Sequence, residues 1–233
     1  AYKSIYESLS HAGIANHCRV RLRKIAAEQV VDQGPEKLFA GVDGILVPGG
    51  FGERGFEGKI RSIAHARRNK IPFFGICYGM QAAVVEFARN ELGITDATTA
   101  EYDANAKNPV IALMEEQKRT NDKGGTMRLG AFDCTLQQGT FSHRAYGTTT
   151  VSERHRHRFE LNNAFRERLA AKGLVMAGTN PQLDLVEIVE APDHPWFVGV
   201  QYHPEFKTGP LKPHPLFRDF IAAAIEQQTR RKK

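Results

Sequence analysis

The sequence predicts an α/β domain in which an open, mostly parallel sheet of flavodoxin-like type is flanked by helices. Three observations support this fold class. Apolar runs of strand length alternate with stretches of helical periodicity along the chain. The 233 residues are 41% hydrophobic, which is enough to fill a sizeable core. No internal repeat, low-complexity stretch or evident linker divides the chain, so residues 1–233 are expected to form one domain.

Each element in the first half is predicted from its own pattern. Residues 1–13 place Ile5, Leu9 and Ala12 on one helical face, with Gly13 as the stop. Residues 20–25 alternate as a half-exposed strand is expected to do. The elements that follow are a buried strand over 44–48, ended by a proline and two glycines, a helix over 58–69, a second buried strand over 71–76 and a helix over 80–92.

The second half is less regular. A strand over 110–114 is followed by a polar loop over 115–125, which is either a lid or a solvated connection. Further strands are predicted over 129–137, 145–152, 174–178, 185–190 and 196–202, and helices over 162–171 and 215–228. The last helix has an inward face made of Leu216, Phe217, Phe220, Ile221 and Ala224. Residues 230–233 are expected to form a solvated tail beyond it.

The charge distribution argues against a nucleic-acid partner. The chain has 32 basic and 26 acidic residues, a net charge of +6. Four of the basic residues are the last four, so residues 1–229 carry 28 basic and 26 acidic side chains. A nearly neutral body lacks the basic surface that nucleic-acid binding requires.

Membrane and extracellular classes are also disfavoured. The longest stretch without a charged residue, 71–85, has 15 residues, whereas a membrane span needs about 20. The N-terminus has no signal-peptide pattern. The three cysteines, Cys18, Cys77 and Cys134, are an odd number without CxxC spacing. These features predict a cytoplasmic protein with neither a disulfide framework nor a zinc cluster.

The segment around Cys77 carries the strongest chemical signal. An apolar strand leads into Gly75-Ile76-Cys77-Tyr78-Gly79 and then into a helical pattern. This is the cysteine counterpart of a nucleophile elbow, in which small flanking residues permit a sharp turn. A helix N-terminus behind the thiol favours the thiolate and offers N–H groups to an oxyanion. The alternative is a buried, chemically inert cysteine, and spacing alone leaves the two equally supported.

One of the nine histidines stands out as a partner for such a nucleophile. His203 follows the carboxyl end of an apolar strand, and active sites of α/β proteins lie at the carboxyl ends of strands. Glu205, two residues later, can point the same way in an extended backbone and orient the imidazole. A surface His-Pro-Glu turn is the alternative. Together with Cys77, these residues predict a Cys-His-Glu triad.

These motifs resemble those of a known family. GICYGMQ over residues 75–81, with YHPE over 202–205, is similar to the class I, or triad, glutamine amidotransferases. More specific matches are VPGGFGERGFEGK over 47–59, GGTMRLG over 124–130, ERHRHRFELNN over 153–163 and HPWFVGVQYHPEF over 194–206. This set resembles the C-terminal glutaminase domain of CTP synthases, from residue 1 to about residue 228.

The resemblance implies a division of labour between two domains. Such a glutaminase domain releases ammonia from L-glutamine through a γ-glutamyl thioester. The ammonia passes to an N-terminal synthase domain of the same polypeptide, which uses ATP and Mg²⁺ to aminate UTP and is activated by GTP. No cofactor is expected in the present domain, and no GxxxxGK[ST] motif occurs in it. The synthase domain and a first β-strand are expected to precede residue 1. The full-length enzyme is expected to be a homotetramer and the isolated domain a monomer.

The resemblance also assigns residues. It implies Cys77 as nucleophile, His203 as general base and acid, and Glu205 as the orienting carboxylate. The oxyanion donors would be the N–H groups of Gly50 and Tyr78, and the contacts to glutamine would come from Gln81, Glu101 and Arg158. Two positions depart from the family pattern: Tyr78 replaces a leucine, so that its ring is expected to narrow the pocket entrance, and Phe159 replaces a tyrosine.

Other interpretations of the same residues remain. The run 154–158 (RHRHR) could be a metal or nucleic-acid site, but a strand would separate its arginines and histidines onto opposite faces. We favour a solvated face for Arg154 and Arg156, and no metal site. Residues 49–52 lack the spacing of a phosphate loop. Cys18 and Cys134 are expected to be unreactive thiols. Another triad amidotransferase, a γ-glutamyl hydrolase and a non-catalytic basic binding module remain as alternatives.

Overall fold

A seven-stranded sheet forms the centre of the protein in the computed structural model, which describes residues 2–113 and 127–232. In chain order the strands are β1 (Ile45–Val47), β2 (Phe73–Ile76), β3 (Thr98–Thr99), β4 (Pro109–Ala112), β5 (Arg128–Leu136), β6 (Thr150–His157), β7 (Glu160–Leu161), β8 (Val175–Asn180), β9 (Leu185–Glu190) and β10 (Phe197–Val200). The order in the large sheet is β1-β2-β10-β9-β8-β5-β6, and β3-β4-β7 form a smaller sheet.

The large sheet is mixed. Strands β1, β2 and β10 pair in parallel, whereas the four pairings from β10 through β9, β8 and β5 to β6 are antiparallel. The α/β class is confirmed, but the expectation of a mostly parallel sheet is wrong. Residues 181–184 connect β8 to β9 too briefly for a parallel crossover, which needs a dozen or more residues.

Helices cover both faces of the sheet. They are α1 (Lys3–Ala15), α2 (Ala27–Gln33), α3 (Pro35–Leu38), α4 (Phe56–Arg68), α5 (Tyr78–Asn90), α6 (Phe141–Tyr146), α7 (Arg166–Ala171) and α8 (Pro215–Arg231), with single 3₁₀ turns at Asn163–Phe165 and Pro204–Phe206. Phe73 of β2 packs in one apolar cluster with residues of α4 and α5, and Phe74 packs in the other with residues of α1 and α8. The alternation along β2 therefore separates two cores.

The N-terminal elements differ from the prediction. Helix α1 continues past Gly13 to Ala15, because Gly13 is a buried packing position rather than a stop: a Cβ there would lie 2.9 Å from the carbonyl oxygen of Cys18. Residues 20–25 form no strand with any described part of the chain. The short helices α2 and α3 were not predicted.

The strand predicted over 145–152 is wrong over residues 145–149, because α6 extends to Tyr146 and a turn follows it. Thr140 caps this helix by accepting a hydrogen bond from the His143 N–H at 3.2 Å. The buried carboxylate of Glu190 accepts hydrogen bonds from the N–H groups of Phe141, at 2.7 Å, and Ser142, at 2.8 Å. Glu190 lies in β9, far along the chain, so the sequence around α6 does not reveal this contact. The strand proper, β6, begins at Thr150.

The remaining elements lie close to their predicted positions. Strand β4 covers most of the strand predicted over 110–114, while Met114 and the loop predicted over 115–125 lie outside the described residues. Helix α8 extends to Arg231, which pairs with Asp43 at 2.9 Å, so the expected tail is partly helical and partly paired. In the described ranges, no helix combines the length and the apolar character needed to cross a membrane.

Candidate active site

Cys77 occupies the turn between β2 and α5. Its backbone has φ 51° and ψ −102°, a conformation that is strained for a residue with a side chain, and its thiol is buried. A Cβ on Gly75 would lie 2.9 Å from the carbonyl group of Gly79, and a Cβ on Gly79 would collide with the Val47 carbonyl oxygen. The two flanking glycines therefore let strand, turn and helix approach closely, as predicted for a nucleophile elbow.

His203 and Glu205 lie beside this turn. His203 Nδ1 is 2.8 Å from Glu205 Oε1, and the His203 N–H donates to the Arg154 carbonyl oxygen at 2.8 Å. The predicted pairing of His203 and Glu205 is present, but a 3₁₀ turn over Pro204–Phe206, rather than extended backbone, brings the carboxylate back to the ring. The Phe206 ring stacks on the imidazole with centroids 5.2 Å apart. Strand, turn and aromatic contact thus orient the histidine.

The environment of His203 favours its protonated form. Burial alone would lower the pKa of this imidazole, but the neighbouring Cys77 thiol and the Glu205 carboxylate raise the pKa from 6.5 to about 10. A Cβ on Gly49 would lie 3.0 Å from His203 Cε1 and 3.7 Å from Cys77 Cβ. Because Nδ1 is bound by Glu205, Nε2 is the ring atom left to exchange a proton with Cys77.

The two residues expected to supply the oxyanion donors, Gly50 and Tyr78, lie next to each other. Tyr78 is the first residue of α5, so its N–H has no partner within the helix. Gly50 follows β1, and a Cβ placed on it would be 3.6 Å from Tyr78 Cδ1. The Tyr78 ring is buried and packs on Phe56 at 5.4 Å. The expected narrowing of a pocket entrance by this ring stays a prediction.

Three residues expected to contact substrate surround this turn. Glu101 Oε1 accepts a hydrogen bond from the Gly52 N–H at 3.0 Å, close to the candidate oxyanion donor of that loop. Gln81 is buried in the first turn of α5, and its Nε2 donates to the Phe159 carbonyl oxygen at 2.9 Å. Arg158 precedes that carbonyl, and its buried Nε has no partner among the described residues. The side chain of Gln81 thereby connects α5 to the backbone next to Arg158.

Gln201 is a contributor that the sequence reasoning missed. Its buried side-chain Nε2 donates to Cys77 Sγ at 3.7 Å. Its Oε1 accepts from Gln81 Nε2 at 3.2 Å, so Gln81 orients the amide group with its nitrogen toward the sulfur. The available signal was a single amide side chain that follows the apolar strand β10, two residues before His203.

The RHRHR run has a structural role. Arg154 and Arg156 are exposed while His155 and His157 are buried, as the strand alternation predicted. His155 Nδ1 and His157 Nε2 are 2.8 Å apart, and burial, with the nearby Arg128 and His203 charges, lowers the pKa of His155 to about 3. Within residues 2–113 and 127–232, no group of three or more His, Cys, Asp or Glu side chains is placed to hold a metal ion.

Buried acidic residues lie beside these histidines. Arg128 donates to Glu160 Oε1 at 3.1 Å and to Glu187 Oε1 at 2.8 Å. Burial raises the pKa of Glu160 to about 8 despite the guanidinium, and the neighbouring Glu187 adds to the rise. Arg128 thus links the two carboxylates, while its Nε and the second carboxylate oxygens of Glu160 and Glu187 have no hydrogen-bond partner among the described residues.

The comparisons with known proteins agree with this geometry. The family model described as glutamine amidotransferase class-I matches residues 1–223. The CTP synthase of Geobacter metallireducens is 62% identical over 231 residues, 99% of this chain and 43% of the relative. That of Geobacter sulfurreducens is 59% identical over 232 residues, all of this chain and 43% of the relative. The chain thus spans less than half the length of these relatives.

Solved structures agree as well. The glutaminase domain of Trypanosoma brucei CTPS with bound acivicin has a TM-score of 0.90 and 36% identity, covering 97% of this chain and 88% of that chain. A Thermoplasma acidophilum protein described as part of a GMP synthase shares the fold, with a TM-score of 0.61 at 13% identity over 99% of this chain and 92% of that one. The family match, the relatives and the geometry around Cys77 show that this chain belongs to the class I glutamine amidotransferases.

Proposed function

We propose that this chain hydrolyses L-glutamine to glutamate and ammonia, with Cys77 as the nucleophile. The observation that carries the proposal is the strained Cys77 turn at the start of α5, beside a histidine whose pKa is raised to about 10. Glu205 orients that histidine. The trypanosomal domain that shares 36% of its sequence with this chain was solved with bound acivicin, which supports an occupied site in this fold.

In the first half-reaction, the Cys77 thiolate attacks the side-chain amide carbon of glutamine. The N–H groups of Gly50 and Tyr78 stabilise the resulting oxyanion, a contribution worth on the order of 10²-fold or more in rate for each donor. Protonated His203 donates its proton to the amide nitrogen, and the C–N bond breaks. Ammonia leaves, and a γ-glutamyl thioester and a neutral imidazole remain.

In the second half-reaction, neutral His203 takes a proton from water as the oxygen attacks the thioester carbon. The same two N–H groups stabilise the second oxyanion. Collapse of this intermediate breaks the C–S bond and releases glutamate. The Cys77 thiolate and the protonated His203 are thereby restored, which balances the cycle.

Substrate orientation follows from charge. The Glu101 carboxylate, fixed by the Gly52 N–H, suits the α-ammonium group of glutamine. The guanidinium of Arg158 suits the α-carboxylate, because its planar donors can bind two oxygens at once. Gln81 supports the site through its hydrogen bonds to Phe159 and Gln201.

We further propose that the ammonia serves a CTP synthase. The relatives named CTP synthase are more than twice as long as this chain, which supports a synthase domain in the same polypeptide. That domain would aminate UTP, and ATP, Mg²⁺ and GTP would be needed only by the full-length enzyme, so this domain would need no cofactor of its own. Residues 1–233 would form one glutaminase domain, monomeric alone and tetrameric with its synthase domain.

The free thiols of Cys18, Cys77 and Cys134 support a cytoplasmic location.

The first experiment identifies the substrate. The 233-residue chain is incubated with L-glutamine or with a γ-glutamyl peptide, and glutamate and ammonia are measured. We expect equimolar glutamate and ammonia from glutamine. Preferential cleavage of the peptide would instead support a γ-glutamyl hydrolase, and salt-dependent nucleic-acid binding without hydrolysis would support a basic binding module.

Acivicin identifies the reacting thiol. Mass spectrometry after incubation should find the label on Cys77 and none on Cys18 or Cys134. Cys18 is half-buried and Cys134 is buried, and burial raises the pKa of the Cys134 thiol far above its ordinary value. Label on either of these two residues in place of Cys77 would contradict the assignment.

The synthase proposal is tested in a polypeptide that carries both domains. With UTP and ATP present, Cys77→Ala should abolish CTP formation from glutamine and leave CTP formation from ammonium chloride intact. Loss of both activities, or retention of both, would contradict an ammonia-supplying role for this domain.

A further inference from the structure

The loop formed by residues 49–52 is tied to its surroundings at Gly52. The Gly52 carbonyl oxygen accepts hydrogen bonds from the hydroxyl groups of Tyr78 and Tyr102, the latter at 3.0 Å. The Gly52 N–H donates to Glu101 at 3.0 Å. The preceding Phe51 side chain is 89% exposed and does not anchor the loop. Hydrogen bonds to both backbone polar groups of Gly52 therefore hold the end of this loop.

Tyr78 has two distinct contacts with the oxyanion site. Its backbone N–H, at the start of α5, is one of the proposed donors. Its ring packs on Phe56 and reaches past Gly50, and its hydroxyl binds the loop two residues beyond the other proposed donor. One residue thus joins the helix end of the oxyanion site to the loop end. The leucine expected at this position from the family resemblance has no hydroxyl with which to make that bond.

Positioning matters here because oxyanion stabilisation depends on donors that are already oriented. Gly52 has φ +78°, and a Cβ placed on it would have no atom within 4 Å, so packing does not restrain it. Tyr102 contacts Phe56 edge-on with centroids 5.0 Å apart, which places its hydroxyl on the same carbonyl as that of Tyr78. Loss of either hydroxyl leaves the other to hold the loop less firmly.

We propose that Tyr78 is a positioning residue for the oxyanion site, and that its hydroxyl holds Gly52 so that the Gly50 N–H points to the same oxyanion as the Tyr78 N–H. This inference rests on the proposed glutaminase function. It gives the Tyr78 side chain a role of its own, whereas the backbone N–H could be supplied by any residue except proline. It also connects the oxyanion donors to Glu101, because Gly52 binds both Tyr78 and that carboxylate.

The test compares Tyr78→Phe with Tyr78→Leu in the 233-residue chain. Tyr78→Phe keeps the ring and removes the hydroxyl, so we expect kcat for glutamine hydrolysis to fall by about 5- to 10-fold, less than the loss of a whole donor. KM should change by less than about threefold. Alkylation of Cys77 by iodoacetamide should keep its rate, because displacement at a saturated carbon forms no oxyanion.

Two further variants calibrate the result. Tyr102→Phe removes the second hydroxyl group that donates to the Gly52 carbonyl oxygen and should also lower kcat. The variant that carries both Tyr78→Phe and Tyr102→Phe should lower kcat further. Tyr6→Phe removes a hydroxyl from a half-buried ring beside Lys24 and should leave kcat unchanged. Unfolding curves of the three tyrosine-to-phenylalanine variants should stay close to that of the wild type, because each change removes only a hydroxyl group.

The inference is overturned if Tyr78→Phe matches the wild-type kcat while Tyr78→Leu alone is impaired, because the ring and not the hydroxyl would then matter. It is also overturned if kcat and the alkylation rate fall together, which indicates general disturbance of the site. Failure of the proposed function has a different signature: Cys77→Ala would then release glutamate as fast as the wild type.

Discussion

Gly79, in the first turn of α5, lies so close to Val47 of β1 that a Cβ on the glycine would collide with the valine carbonyl oxygen. This contact sets the distance between the Cys77 turn and the loop that follows β1. Both halves of the proposed oxyanion site therefore depend on a backbone approach that only glycine permits.

Gly79→Ala should consequently destabilise the protein and impair the site. We expect the free energy of unfolding to fall by about 1–3 kcal/mol, the usual range for an overpacked position. Glutamine hydrolysis should slow in parallel. Denaturant titration checks the stability, and Gly209→Ala is the control because its added Cβ would have no atom within 4 Å. Equal stability of the two variants would contradict the close approach.

The charge of His203 gives a pH-dependent prediction. Its folded-state pKa is raised from 6.5 to about 10, so the protonated ring stabilises the folded state fully below pH 6.5 and this contribution is lost as pH rises through about 10. Glu205→Gln removes one of the hydrogen bonds that raise the pKa. NMR titration should find His203 near 10 in the wild type and lower in the variant. A wild-type value near 6.5 would contradict the proposed contacts.

The interaction between His203 and Glu205 should also affect the free energy of unfolding. Denaturant titrations of wild type and Glu205→Gln should differ at pH 6.5, and the difference should shrink as pH rises toward 10. A difference that grows with pH would show that the carboxylate, rather than the protonated imidazole, controls the folded state.

Arg158 should affect glutamine binding more than the chemical step. Arg158→Lys keeps the charge but loses the planar pair of donors, so we expect KM for glutamine to rise by about 10-fold with a smaller change in kcat. Arg156→Lys, on the exposed face of β6, is the matched control and should leave both constants unchanged. A fall in kcat at constant KM would contradict the assignment to the α-carboxylate.

Glu160 should make the folded state weaken toward neutral pH. Burial raises its pKa from 4.5 to about 8, so its contribution is favourable below pH 4.5 and is lost as pH rises through 8. Glu160→Gln cannot ionise. Unfolding measurements should therefore show the wild type losing stability relative to this variant between pH 4.5 and 8. Curves that stay parallel would mean that the Arg128 pair keeps the pKa of Glu160 low.

Local patterns predicted the nucleophile turn well. The apolar run of β2, two glycines and the helical periodicity of α5 lie next to one another in sequence, and they define the Cys77 turn without reference to distant residues. Helix α5 begins two residues earlier than predicted, directly after Cys77. That earlier start makes Tyr78 the first helical residue.

Features that depend on distant partners were not predictable. Helix α6 is held by Glu190 from β9, and the strand predicted over 145–152 overlooked it. Strand direction is not encoded in hydrophobic periodicity, so the antiparallel half of the sheet was missed. Gln201 reaches Cys77 only because β10 pairs with β2. The hydrogen bond from Tyr78 to Gly52 spans 26 positions and likewise has no local signature.

Glutamate release by the wild type and by Cys77→Ala is the most direct test of Cys77 as the nucleophile. Cys18→Ala serves as the control for loss of a thiol elsewhere. We predict that Cys77→Ala releases no glutamate above the uncatalysed background, while Cys18→Ala retains the wild-type rate. Equal rates for the wild type and Cys77→Ala would contradict the claim that this cysteine is the nucleophile.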